Sequence, residues 1–271
     1  MIVDGTALAN TIQKELAERV RAESASLTLG IVSMSDSPVT EKYLARKKKF
    51  GESIGIAVTE ARVSPDGDQS VIESAVKDLL QDLHISGVLV QLPLPPHIDT
   101  KSVLNLIPVD RDPDILSDKA RALFEQANGI LPPVIGAMKE ILERNSISLA
   151  GKNVVVVGEG NLVGKPAIAW AKREKAHVEI VTEYNRHPES ILREAQVLIL
   201  GAGRPGLIQP GMIKDGVVLL DAGTTDVEGS LKGDADPACE PKCSLFTPVP
   251  GGIGPLTIAL IFKNLITLSQ Q

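Results

Sequence analysis

The stretch Asn153-Val154-Val155-Val156-Val157-Gly158-Glu159-Gly160-Asn161-Leu162-Val163-Gly164-Lys165-Pro166 constrains this chain more than any other. Val154 to Val157 are β-branched and apolar on both faces of an extended chain. Such a run suits a strand buried in a parallel sheet with helices on each side. It ends in a glycine turn, and Leu162 to Lys175 then reads as a helix. A strand, a glycine turn and a helix aim backbone N–H groups and the positive helix end at one point, which suits a phosphate. The spacing Gly158-x-Gly160-x-x-x-Gly164 is one residue longer than the usual dinucleotide fingerprint. A tight turn that needs glycine for backbone reasons alone is the plainer alternative. The strand before and the helix after favour the nucleotide.

The rest of the chain alternates in the same way. Leu8, Ile12, Leu16 and Val20 share one face of a helix over Ala7 to Arg21. Strands are expected at Leu27 to Val32, Ile56 to Val63 and Gly87 to Pro95, with a helix at Val71 to Leu83. A helix beginning near Val39 or Thr40 and broken by Gly55 puts Tyr43 and Lys47 four residues apart on one face. Gln91 lies in an otherwise apolar strand and needs a partner for its amide, and Pro93 ends the strand's hydrogen bonding. That places Gln91 near a carboxyl end, where ligand crevices lie in open α/β sheets. Val103 to Ile107 reads as a short helix, Pro108 to Asp114 as an acidic loop, and Ile135 to Arg144 as a helix. Beyond the glycine turn come strands at His177 to Thr182, Val197 to Leu200 and Val217 to Asp221, with a helix at Pro188 to Glu194. A helix at Leu256 to Leu268 closes the chain. This βα succession predicts an α/β fold with a parallel sheet.

Composition removes several function classes. A length of 271 residues allows two domains, and 43% hydrophobic residues with only 3% aromatics imply aliphatic cores. A formal charge of -6 without a basic, aromatic stripe argues against a nucleic-acid binder. Met1-Ile2-Val3-Asp4 begins no signal peptide, and no apolar run reaches the length of a membrane span. Cys239 and Cys243 have no nearby histidine cluster, so neither a zinc site nor a disulfide framework is expected. These features predict a cytoplasmic protein with no metal and no membrane partner.

Several segments together resemble one family. Val90-Gln91-Leu92-Pro93-Leu94-Pro95 and Thr247-Pro248-Val249-Pro250-Gly251-Gly252-Ile253-Gly254-Pro255-Leu256-Thr257 resemble the two signature segments of methylenetetrahydrofolate dehydrogenase/cyclohydrolase. Tyr43-x-x-x-Lys47 matches the catalytic Tyr and Lys of that family. Asp110-Arg111-Asp112-Pro113-Asp114 falls where the family has an Asp-Lys-Asp-Val-Asp-Gly loop, and Gly158 to Pro166 sits where its cofactor loop lies. The resemblance implies a two-lobed α/β fold about a cleft. A folate-binding catalytic domain over residues 1–117 would be completed by the C-terminal helix at 254–271. A Rossmann-like nucleotide domain would span 118–245. It further implies a homodimer and two reactions: oxidation of 5,10-methylenetetrahydrofolate with a nicotinamide cofactor, and hydrolysis of the methenyl product to 10-formyltetrahydrofolate.

The roles implied are catalytic for Lys47, Tyr43, Gln91 and Asp114. Tyr43, Gln91, Pro93, Asp114, Gly252 and Pro255 would hold tetrahydrofolate derivatives. Gly158, Glu159, Gly160, Val163, Gly164, Glu183, Gly203 and Thr224 would hold the cofactor. Read alone, Lys47 is a solvated charge, since Lys42, Arg46, Lys48 and Lys49 crowd around it; the resemblance makes it the catalytic base. A Lys kept neutral by burial can accept a proton from attacking water and return it to a ring nitrogen. Prolines 248 and 250 would stiffen an extended approach, and Gly251, Gly252 and Gly254 would let backbone come close to a flat ligand.

The chain also departs from the family pattern. The cofactor turn of the family often reads Gly-Arg-Ser, and its Arg contributes to binding the 2'-phosphate of NADP. Here the positions are Gly158, Glu159 and Gly160, and Glu183 stands where many members carry a Ser that touches that phosphate. Carboxylates repel a phosphate but suit a ribose 2'-OH, so the residues favour NAD where the resemblance favours NADP. Ile115 replaces a Gly after the Asp pair, and Pro132 and Thr40 replace a Thr and a Ser. Thr224 replaces an Ile that contacts the cofactor. A relative with one activity lost, or a folate- or nucleotide-binding protein without catalysis, is the alternative these changes raise. A shikimate-type dehydrogenase would leave the Thr-Pro-Val-Pro-Gly-Gly segment unexplained.

Overall fold

The apolar repeat of the first helix is met in the structure by α1 (Gly5–Glu23), with Ile12, Leu16 and Val20 buried. The computed structural model describes residues 1–23, 26–35 and 37–270. Then follow β1 (Thr28–Ser33), α2 (Pro38–Ile54), β2 (Ala57–Arg62), α3 (Gln69–Gln81), β3 (Gly87–Val90), α4 (Thr100–Leu104) and α5 (Asp118–Glu125). β1 lies between β2 and β3 in a parallel three-stranded sheet. Its central place follows from its composition, since Leu29, Ile31 and Val32 are wholly buried, whereas β2 alternates and stays half-exposed at the edge. Val32, Met34, Ile72, Val76, Val88 and Val90 pack in one core beneath α3.

α2 begins with Pro38 in its first turn, where a missing N–H costs nothing. It ends at Gly55, whose φ of 80° is the left-handed cap that glycine accepts freely. α4 starts three residues earlier than the sequence suggests, because the Asp99 carboxylate accepts from the N–H groups of Lys101 and Ser102 and fixes the start. The sequence reading contains no helix at α5. Ser117 caps it by accepting from Ala120 N–H, and Ala120 and Phe124 are buried.

The remaining elements are α6 (Pro133–Arg144), β4 (Asn153–Val157), α7 (Gly164–Arg173), β5 (His177–Val181), α8 (Glu189–Glu194), β6 (Val197–Leu200) and β7 (Val217–Asp221). A short antiparallel hairpin, β8 (Thr225–Val227) and β9 (Ser230–Lys232), precedes β10 (Cys243–Phe246) and α9 (Ile253–Leu268). The hairpin and β10 are absent from the sequence reading; each is too short to show a period. Five strands form a parallel sheet in the order β10-β7-β6-β4-β5. The valine run is its middle, with Val154 to Val157 buried. The chain moves from β4 outward to β5, then returns to the other side of β4 for β6. That reversal is the switch point beside which doubly wound sheets bind ligands, at the carboxyl ends of β4 and β6.

The chain divides into two compact units, Met1–Ala9 with Val134–Thr257, and Asn10–Pro133 with Ile258 onward. This division falls at 133/134, where the family resemblance implies 117/118. α5 stays with the unit of β1 to β3, because the Asp112 carboxylate accepts from the N–H groups of Leu116 and Ser117 just before it. The first residues join the other unit, where Val3 N–H donates to the Phe246 carbonyl beside β10. Among the described residues no helix is long and apolar enough to cross a membrane, and no cluster of His, Cys, Asp or Glu could hold a metal ion. Cys239 and Cys243 are free, buried thiols.

Candidate active site

Within α2 the basic run is sorted by helix geometry. Lys42, Arg46, Lys48 and Lys49 are exposed, while Lys47 is only 7% exposed. The solvated role falls to Lys48, which pairs with Glu60 on β2 at 2.6 Å. Lys47 instead turns inward, and its Nζ donates to Gln91 Oε1 at 2.8 Å. Gln91 sits one residue past β3, and its N–H donates to the Val32 carbonyl, so the sheet fixes it. The Gln91 amide in turn donates to the Leu92 carbonyl at 2.8 Å, which orients the oxygen toward Lys47. Burial lowers the Lys47 pKa below the usual lysine value, against the opposing pull of the Asp114 charge.

Asp114 belongs to the same cluster. It keeps part of its surface, yet the atoms around its carboxyl push its pKa up to about 6, while Lys47 draws it down and Asp112 adds to the rise. Its loop is held from two sides. Asp112, 1% exposed, caps the far end as described, and Asn264 of α9 donates to the Pro113 and Leu131 carbonyls at 2.9 Å. Ile115 adopts φ 56°, a left-handed conformation costing a β-branched residue about 1–2 kcal/mol. Its side chain is 3% exposed, and burial worth about 1.5–3 kcal/mol offsets that strain. A glycine would adopt this backbone without strain.

Tyr43 is half-buried one turn before Lys47, with the Arg46 guanidinium 5.9 Å from its ring centre. Pro93 follows Gln91 across a cis peptide bond from Leu92. Thus Tyr43, Lys47, Gln91, Pro93 and Asp114 all lie in one unit, where Lys47 is bonded to Gln91 and feels the charge of Asp114. Gly252 and Pro255 lie in the other unit. Gly252 donates to the Pro248 carbonyl at 2.7 Å, and a Cβ there would come within 2.6 Å of that oxygen. Gly252 is therefore needed by its own turn, while Gly251 and Gly254 leave open space.

The glycine turn joins β4 to α7 at the switch point. A Cβ on Gly158, at φ 95°, would come within 2.8 Å of the Gly201 carbonyl, and one on Gly164 would collide with the Gly158 carbonyl. Gly160 has no such constraint, its nearest neighbour lying 3.8 Å away. Val163 is the N-cap of α7 and makes no side-chain cap bond, while Lys165 N–H donates to the Gly160 carbonyl of the turn at 3.1 Å. This start of α7 is two residues later than the sequence reading. An uncapped helix start beside a glycine turn fits a pyrophosphate. Glu159 and Glu183 are exposed, on the turn and just beyond β5, and make no ion pair among the described residues. Gly203, at φ 65°, and Thr224 are exposed on the loops after β6 and β7. The sequence reading missed Asp112 and Asp234, whose buried carboxylates shape these loops; their only signal is an acidic residue among glycines and prolines.

A doubly wound parallel sheet with a glycine turn at its switch point, in a chain that also carries a buried Lys47–Gln91 pair, defines the class as a dinucleotide-dependent α/β enzyme. Residues 3–114 match the tetrahydrofolate dehydrogenase/cyclohydrolase catalytic domain, and residues 132–271 match the NAD(P)-binding domain of the same family. The chain belongs to the tetrahydrofolate dehydrogenase/cyclohydrolase family. It is 32% identical to the bifunctional protein FolD of Lactobacillus gasseri over 100% of this chain and 98% of that one. It is similar to the crystal structure of the bifunctional FolD dehydrogenase/cyclohydrolase of Campylobacter jejuni, with TM-score 0.94 and 29% identity over 100% of this chain and 98% of that one. The FolD structure from Trypanosoma brucei, complexed with NADP and an inhibitor, matches with TM-score 0.94 and 29% identity over 100% and 97% of the two chains.

Proposed function

We propose that this chain oxidises 5,10-methylenetetrahydrofolate to the methenyl compound with a nicotinamide cofactor, and hydrolyses that compound to 10-formyltetrahydrofolate. The observation that carries the reading is the buried Lys47, bonded to Gln91 and facing the Asp114 charge. The cofactor, when bound, supplies the hydride acceptor. Hydride loss leaves a cationic methenyl carbon, and water attacks it. Neutral Lys47 takes the proton from that water and returns it to the ring nitrogen that leaves. Burial makes the neutral form accessible, and Gln91 holds Nζ in place without adding charge. Asp114 is ionised above pH 6 and accepts hydrogen bonds from the amino-pyrimidine edge of the pterin. Tyr43 and Pro93, in the same unit as Lys47, contact the folate.

The Gly158–Gly164 turn would hold the pyrophosphate, and Gly160, Val163, Gly203 and Thr224 would line the nucleotide. Glu159 and Glu183 take the adenosine ribose. A carboxylate accepts from the 2'- and 3'-hydroxyls of NAD and repels the 2'-phosphate of NADP. Arg186, exposed on the following loop, is the nearest cation in sequence that could favour NADP instead. The reading is therefore a higher kcat/KM with NAD than with NADP. A homodimer acting in the cytoplasm follows the family resemblance, the dimer being measurable by sedimentation. Assaying methenyl hydrolysis and cofactor reduction separately, the latter with NAD and NADP under one set of conditions, tests the whole reading. Absence of hydrolysis removes the role of Lys47, and a clear NADP preference reverses the assignment of the two glutamates.

A further inference from the structure

Asp234 is completely buried, yet no ion pair among the described residues neutralises it. Its Oδ2 accepts from the N–H groups of Ala202 at 2.6 Å and Gly203 at 3.1 Å, and its Oδ1 accepts from Arg204 N–H at 2.7 Å. A carboxylate removed from water is costly unless hydrogen bonds replace its hydration, and here three successive backbone donors do so. The loop they belong to follows β6 at the switch point. It lies directly against the glycine turn: a Cβ on Gly201 would meet Val163 Cγ1 at 2.5 Å, and the Gly201 carbonyl is the atom that forbids a side chain at Gly158. Gly203 also receives a bond on its carbonyl from Thr225 Oγ1 at 3.1 Å.

Asp234 is itself held from behind. Ile208 N–H donates to its carbonyl at 2.9 Å, and Ala235 N–H donates to Asp221 Oδ2 at 2.8 Å. Asp221 ends β7 and also accepts from Gly223 N–H at 2.9 Å. A side chain at Gly223 would overlap the Asp234 carboxylate, so the glycine after β7 keeps that space open. The two carboxylates thus tie the loops after β6 and β7 to the 233–235 segment.

We propose that Asp234 is a positioning residue for dinucleotide binding: its carboxylate clamps the Ala202–Arg204 backbone as the wall of the nucleotide crevice facing the Gly158–Gly164 turn. The inference rests on the dinucleotide reading of that turn. Asp234→Asn keeps the size but sets an amide NH2 against at least one of the three N–H donors. NADH and NADPH binding, followed by cofactor fluorescence, should weaken on the order of tenfold or more for the preferred cofactor, with KM for that cofactor rising in step. The KM for the folate and the rate of methenyl hydrolysis should stay within about twofold, a split that general loss of structure would not produce. Wild-type binding in the folded variant, or equal loss of hydrolysis and nucleotide binding, overturns the proposal. A second measurement needs no variant. Amide hydrogen exchange of the nucleotide-free protein should show Ala202, Gly203 and Arg204 protected although Gly203 and Arg204 are exposed, and exchange at the unprotected rate overturns the clamp. A wild-type protein that binds neither NADH nor NADPH overturns the dinucleotide reading itself, a result distinct from failure of the clamp.

Discussion

Around Lys47 the chain takes functional side chains out of water, whereas around Gly158 it presents backbone and leaves Glu159 and Glu183 in solvent. Lys47 and Gln91 are buried and bonded to one another, and burial shifts the proton affinities of both Lys47 and Asp114. At the turn, glycines 158 and 164 set the backbone path, and Glu159 and Glu183 are exposed. The first arrangement tunes chemistry and tolerates little change, because removing one partner strands another in a dry site. The second, in the proposed reading, offers backbone N–H groups to the cofactor, so its selectivity can shift through exposed residues at little cost in stability.

If that contrast holds, substitution of Lys47 carries the largest effect. Lys47→Ala should lower methenyl hydrolysis by about 10²–10⁴-fold, the usual worth of a general base, and severely impair the dehydrogenase in a protein of unchanged circular dichroism. Near wild-type hydrolysis in the folded variant would break the comparison at its strongest point.

Asp114 comes next. Asp114→Ala should weaken folate binding by about 1.5–3 kcal/mol, the loss of a charge-assisted bond, and leave nucleotide binding unchanged. Equal losses would make the loop structural. Asp114→Asn sharpens the same point through pH. The Asp114 charge favours protonated Lys47, so its removal lowers the Lys47 pKa further. The rate of methenyl hydrolysis rises with pH as Lys47 loses its proton, and in Asp114→Asn that rising limb should move to lower pH. A limb that stays or moves to higher pH denies the coupling.

Glu159→Arg tests the solvent-facing site. It should shift the ratio of kcat/KM for NAD over NADP toward NADP by about tenfold, roughly 1.4 kcal/mol, with stability changed by less than about 0.5 kcal/mol. An unchanged ratio means that Glu159 points away from the ribose. The smallest effect is expected at Ile115. Ile115→Gly loses buried area but relieves the left-handed strain, for a net loss of about 1 kcal/mol, whereas Ile115→Ala loses the area and keeps the strain. Urea midpoints should therefore place the Gly variant above the Ala variant, and the reverse order would show that φ 56° carries no strain.

Much of this molecule was legible before any coordinate. The valine run, the glycine turn and the helix after it announced the nucleotide unit, since strand and helix periods and the need for glycine are local properties of the chain. The Tyr43–Lys47 spacing placed both residues on one helical face for the same reason. Local pattern could not distinguish Lys47 from the four basic residues around it. That distinction needed β3 to bring Gln91 beneath α2 and the 112–117 loop to bring Asp114 nearby. Helix α5 and the β8–β9 hairpin escaped notice because they are short and take their caps and pairing from specific side chains rather than from a repeating apolar pattern. Asp234 is the extreme case. In sequence it is one acidic residue in a polar stretch, and only the fold closes the 30 residues that separate it from Arg204. Periodicity and turn chemistry are written in neighbouring residues, so the sequence by itself determined the elements and the class of fold. Burial and charge pairing depend on residues far apart in the chain, so tertiary structure alone decided which lysine is dry and which carboxylate holds the loop after β6.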